Sequence, residues 1–162
     1  MGQPDEIPIA GCRGLDHTAD VGFEIHAPDL GALFCRAALG AIWLVLERSA
    51  ETTAGDDVQD RDGETRSVEL VEDDLAMLLR SWLRTVLFWQ EMEEFVVMDA
   101  RLVLLPTPLC SSTDGLGYGL RGEIVGRFDR GPRIREIKGV TLHGLCVEPR
   151  EDGWLARVIL DV

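Results

Sequence analysis

Two short stretches concentrate groups able to bind or move charge. Asp16-His17-Thr18-Ala19-Asp20 crowds two carboxylates, an imidazole and a hydroxyl into five residues, just before an apolar run that opens at Val21. Carboxylates held together repel one another and are relieved by a hard divalent cation, so this stretch suits Ca²⁺, Mg²⁺ or Mn²⁺. The same residues also suit a turn in which Asp16 or Asp20 accepts hydrogen bonds from nearby backbone amides and His17 is half-buried. The second stretch closes the sequence. Val158-Ile159-Leu160-Asp161-Val162 reads as an apolar strand followed at once by the Asp161 carboxylate and the last main-chain oxygens at Val162. If a sheet sets this end beside Asp20, up to three anionic groups converge and an oxygen-only cation site follows; a solvated strand end is the alternative.

Between them in character lies Lys138-Gly139-Val140-Thr141-Leu142-His143-Gly144, inside a strand expected over residues 137–147. Strand alternation sends Lys138, Val140 and Leu142 to one face and Gly139, Thr141 and His143 to the other. Lys138 and His143 then share a face only through a bulge. An exposed solubilising lysine and a satisfied core or edge histidine are the plainer uses of these two residues.

Other chemistries lack support. Gly115-Leu116-Gly117-Tyr118-Gly119 falls between two expected strands, where glycines serve a hairpin, and no helix N-terminus follows to hold a pyrophosphate. No Walker loop, GxSxG elbow or HExxH helix occurs. Cys12, Cys35, Cys110 and Cys146 are widely separated, which excludes a zinc knuckle and a CxxC redox pair and predicts free thiols packed as small apolar groups.

Net charge is −13, from 16 Lys and Arg against 29 Asp and Glu, so a duplex nucleic acid gripped by its phosphates is excluded as a direct partner. Residues 51–74 hold ten of the acids and two bases, a local acidity read as a solvated loop and helix start, with docking of a basic partner as the functional alternative. The first ten residues carry no base, which speaks against a signal peptide, and no apolar stretch reaches the roughly 18 residues of a membrane span. Soluble and cytoplasmic is the resulting expectation. A chain of 162 residues suits one domain that buries about 68–70% of its unfolded surface.

The elements that must position these groups follow from periodicity. Leu30, Leu33, Phe34, Ala37, Ala38 and Ala41 mark one helix with Asp29 as N-cap; Leu75, Leu78, Leu79, Trp82, Leu83, Val86 and Leu87 mark a second, with Glu72, Asp73 and Asp74 at its positive end. Strands are expected at 21–26, 66–71, 95–105, 118–128, 137–147 and 154–162. Few helical crossovers separate them, so the fold class is α+β: a largely antiparallel or mixed sheet with two main helices packed on one face, in a single domain.

Taken in order, His17-Thr18-Ala19-Asp20-Val21-Gly22, Lys138-Gly139-Val140-Thr141-Leu142-His143-Gly144 and Trp154-Leu155-Ala156-Arg157-Val158-Ile159-Leu160-Asp161-Val162 resemble the archease family. The likeness spans 14–162, leaving residues 1–13 as a flexible extension. Leu142 stands where that family commonly has tyrosine, and the acidic loop around 56–63 looks lengthened. The resemblance implies a protein cofactor, not itself an enzyme, that activates the GTP-dependent RNA-splicing ligase of tRNA splicing and RNA repair. It would promote ligase guanylylation and multiple turnover. RNA would be met only through the ligase, with no DNA and no membrane. Carried over by position, the metal ligands are Asp20, Asp161 and Val162, for Ca²⁺ or Mg²⁺/Mn²⁺, and His17, Lys138 and His143 are supporting residues. Two rivals remain from the residues alone: a metal-dependent phosphoester hydrolase with His17 or His143 as base, and a chaperone-like RNA-processing adaptor.

Overall fold

A computed structural model describes residues 7–15, 20–46, 63–108 and 115–162. In chain order they form β1 (Cys12–Leu15), β2 (Val21–Ala27), α1 (Leu30–Leu46), β3 (Glu64–Glu72), α2 (Leu75–Glu93), β4 (Phe95–Pro108), β5 (Leu116–Phe128), β6 (Gly139–Val140), β7 (Cys146–Arg150) and β8 (Gly153–Asp161). The class is α+β, as the pattern implied, and every strand pairing is antiparallel. The strands fall into two sheets. One runs β1-β2-β8-β6, with β7 also paired to β8; the other is β3-β5-β4.

Both helices serve both sheets. α1 touches β2 and β8 of the first sheet and β4 of the second, while α2 touches β3, β4 and β5 of the second and β6 and β7 of the first. This explains why the C-terminal half of α1 is buried on nearly every side: Gly40, Ala41, Ile42, Leu44, Val45 and Leu46 are consecutive or nearly so. α2 instead buries one stripe, Leu75, Leu78, Leu79, Trp82, Leu83, Val86 and Leu87, joined by Gln90. The Trp82 indole N–H donates to the Phe34 carbonyl at 2.9 Å, tying the helices together inside the core.

Local chemistry sets the helix limits. Asp29 accepts from the Ala32 amide at 2.8 Å and Asp74 from the Met77 amide at 2.8 Å, each meeting one of the orphan donors of a first turn. At the other ends, the segment between β5 and β6 supplies donors. Arg133 donates to the carbonyls of Gln90 and Glu91, and Arg135 to that of Leu44, placing cations on the negative ends of α2 and α1.

β2 and β8 form the centre of the first sheet. Phe23 opposite Val158, Ile25 opposite Ala156 and Val21 opposite Leu160 face the helices, while Glu24 opposite Arg157 faces outward. The sequence reading missed β1, whose Cys-Arg-Gly-Leu carries no apolar alternation; it is paired through residues 12–15 to β2. The chain before it already contributes to the core, since Ile7 is 3% exposed and the His26 amide donates to the Gly11 carbonyl. Residues 7–13, assigned to an extension by resemblance, therefore lie against this sheet; residues 1–6 lie outside the described set.

One expected strand is two. Residues 137–147 break after Val140, and Leu142–Leu145 form a turn closed by the Leu145 amide on the Leu142 carbonyl. Gly144, with φ 67°, occupies the third position, where such a turn demands positive φ. Alternation consequently stops: Val140 is 2% exposed but Leu142 is 61% exposed, not its neighbour on a common face.

Candidate functional site

The second and last strands of the described fold, β2 and β8, pair with each other. Their register ends with Val21 opposite Leu160, so Asp20 is the residue before that pair and Asp161 the residue after it. On the far side of β8, Gly139 lies opposite Asp161 and Val140 opposite Leu160. Asp161 thus stands at the middle of a sheet corner, flanked by Asp20 on one side and by Gly139 on the other. By alternation from the inward Leu160, Asp161 belongs to the outward row, and it is exposed while Asp20 is half-buried.

Lys138 completes the corner. Its amide donates to the Asp161 carbonyl at 2.8 Å and its ammonium to the main-chain oxygen of Val162 at 3.2 Å. The single lysine of the chain is therefore tied to Asp161 through its amide and to Val162 through its ammonium. A Cβ placed on Gly139 would meet nothing within 4 Å, so the flank of Asp161 on that side is open.

The other residues singled out from the sequence stand differently. His143 is exposed on the turn after β6, and its carbonyl accepts from the Thr141 hydroxyl at 3.4 Å; none of the described contacts joins it to Asp20, Lys138 or Asp161. His17 and Asp16 lie outside the described residues, as do Cys110 and residues 51–62 of the acidic stretch 51–74. Cys12, Cys35 and Cys146 are free thiols.

Two carboxylates and a main-chain oxygen are hard donors, which fits Ca²⁺, Mg²⁺ or Mn²⁺ in preference to softer metals. Among the described residues no three His, Cys, Asp or Glu side chains gather to hold an ion.

Charge is managed nearby on the same sheet face. Glu24 accepts from Arg13 at 2.6 Å and from Arg157 at 3.0 Å, and these bonds hold its carboxyl below the usual range. Sequence reasoning missed Arg80, which reaches from α2 to the Val140 carbonyl at 3.0 Å. Nothing in its spacing could reveal a partner sixty positions away. No helix among the described residues is long and apolar enough to cross a membrane.

Residues 13–162 match the Archease protein family. The chain belongs to the archease family. Among its relatives, protein archease of Methanothermobacter thermautotrophicus is 32% identical over 158 residues, covering 95% of this chain and all of that one. Protein archease of Archaeoglobus fulgidus is 29% identical over 151 residues, covering 93% and 98%. The solution structure of Methanobacterium thermoautotrophicum protein 1598 superposes with a TM-score of 0.65 at 27% identity, covering 94% of this archease chain and 99% of that one.

Proposed function

We propose that this archease is a protein activator of the GTP-dependent RNA-splicing ligase, acting in tRNA splicing and RNA repair without being a catalyst itself. The observation that carries the reading is the convergence of Asp20, Asp161, Val162 and Lys138 on one corner of the first sheet. Family membership supports the same partner.

In this reading Asp20, Asp161 and the Val162 main-chain oxygen hold a divalent cation, Ca²⁺ or Mg²⁺/Mn²⁺. When bound, the ion supplies positive charge that can neutralise phosphate oxygens at the ligase centre. The chain's own residues do the rest. β2 and β8, paired over seven residues each, form a stiff support that fixes the two aspartates relative to one another. Lys138 holds Val162 through its main-chain oxygen, and the open flank at Gly139 admits a partner surface to Asp161. His17 and His143 are supporting residues in this reading. A net charge of −13 favours a basic ligase face and opposes independent binding to RNA or DNA phosphates. The outcome is faster guanylylation of the ligase and repeated turnover, in the cytoplasm.

The test is a multiple-turnover RNA-joining assay with ligase, GTP and divalent metal, with and without this chain, alongside transfer of labelled GMP to the ligase. Wild type should raise both at least about tenfold, and D20A and D161A should each return them to the unstimulated level with circular dichroism unchanged. Full stimulation by D161A would overturn the metal-bearing tip. Phosphoester hydrolysis by the isolated chain would favour an enzyme instead.

A further inference from the structure

β6 is poorly equipped to hold itself in place. It contains two residues, one of them a glycine, and pairs with β8 only through Gly139–Asp161 and Val140–Leu160. The flanking amides add two bonds, Lys138 N–H to the Asp161 carbonyl at 2.8 Å and Thr141 N–H to the Ile159 carbonyl at 3.0 Å. Beyond Thr141 the chain turns away.

What steadies this strand from its other side is α2. Arg80 Nε donates to the Val140 carbonyl at 3.0 Å, and Val140 itself is buried. A guanidinium donor makes a charge-assisted bond, stronger than a neutral one and strengthened again by partial burial. Its base is rigid, because Leu78, Leu79, Trp82 and Leu83 around it on α2 are fully buried. The chain of contacts therefore runs from the helix core through Arg80 to Val140, and two residues further to Lys138 with its bonds to Asp161 and Val162.

We propose that Arg80 is a positioning residue of the archease tip: by holding the Val140 carbonyl it keeps β6 on β8 and so sets where the Lys138 ammonium meets Val162. The effect on ligase rests on the tip reading above; the effect on β6 does not. With Arg80 gone, β6 retains its two pairs but loses its tie to the helix, and the Lys138 and Thr141 amides open to solvent more often.

The experiment compares wild type, R80M and R80K by amide hydrogen exchange and by ligase stimulation. For R80M, exchange at Lys138 and Thr141 should quicken about tenfold while Phe23 and Ile25 in the middle of β2 stay unchanged. Maximal stimulation should fall by about the same factor, with little change in the concentration giving half of it, because docking survives while the tip is misplaced. R80K, which keeps one donor, should recover part of both. Unchanged exchange at Lys138 and Thr141, or equal loss of protection throughout β2, would overturn the proposal, the latter making Arg80 a residue of general stability. Faster exchange with intact stimulation, where D161A abolishes stimulation, would overturn the functional half of it. If D161A itself stimulates fully, it is the tip reading that has failed, and exchange alone decides whether Arg80 orders β6.

Discussion

Replacing Trp82 by phenylalanine probes the joint on which both helices depend. Trp82 is fully buried, and its indole donor meets the Phe34 carbonyl on α1. Phenylalanine deletes that donor and the five-membered part of the ring. The lost hydrogen bond contributes about 1 kcal/mol. The vacated space, roughly 40 Å³, costs about 1 kcal/mol more as a cavity, and the apolar area no longer buried about another 1 kcal/mol. Trp89, whose ring sits edge-on 6.2 Å from that of Trp82, can relax into part of the space, so about 3 kcal/mol is an upper figure. For a chain of this size that corresponds to a fall in Tm of about 6–12 °C. Urea denaturation followed by far-ultraviolet circular dichroism reads it directly, with the midpoint moving and the slope m unchanged. A loss below about 0.5 kcal/mol would refute the reasoning, since the indole N–H would then have no bond to lose.

Two further expectations concern titration. Glu24 is held below its ordinary value by hydrogen bonds from Arg13 and then Arg157, so the stability it contributes is complete above the unfolded carboxylate value of about 4.3 and disappears as pH falls through the folded one. The stability difference between wild type and E24Q should accordingly shrink between pH 5 and pH 3; urea midpoints showing the same difference at pH 3 as at pH 7 would contradict this. Burial pushes the Cys12 thiol up to about 12 despite the nearby Arg36 charge, and burial likewise raises Cys35. At pH 8 iodoacetamide should leave both unmodified in the folded protein and label both in urea, as peptide mass mapping would report; labelling of folded Cys12 at the denatured rate would show it to be accessible. Because an unfolded thiol ionises near about 8.5, its ionisation should also erode stability as pH rises past that value.

The helices were legible because their cause is local. The stripe from Leu75 to Leu87 and the carboxylates of Asp29 and Asp74 encode the face to be buried and the first-turn donors to be satisfied, whatever lies around them. β2 and β5 were legible for the same reason, each alternating over most of its length, and β8 was legible as an apolar run after a turn. β1 was not, since four residues with one aliphatic side chain owe their conformation to pairing with β2. The break after Val140 was hidden because Leu142 continues the alternation in composition, while the turn needed at Gly144 ends it in space.

Residue types and order alone determined the α+β class, the antiparallel bias and the short list of chemically capable residues. Tertiary structure decided how those residues meet. Which of two sheets each strand joins, that Asp20 and Asp161 end adjacent strands in step, that Lys138 reaches Val162 and that Arg80 reaches Val140 all depend on register between segments far apart in the chain. Register is a cooperative result of burying Phe23, Ile25, Ala156, Val158 and Leu160 against shared helices, and a slip of one residue would turn every one of those side chains outward.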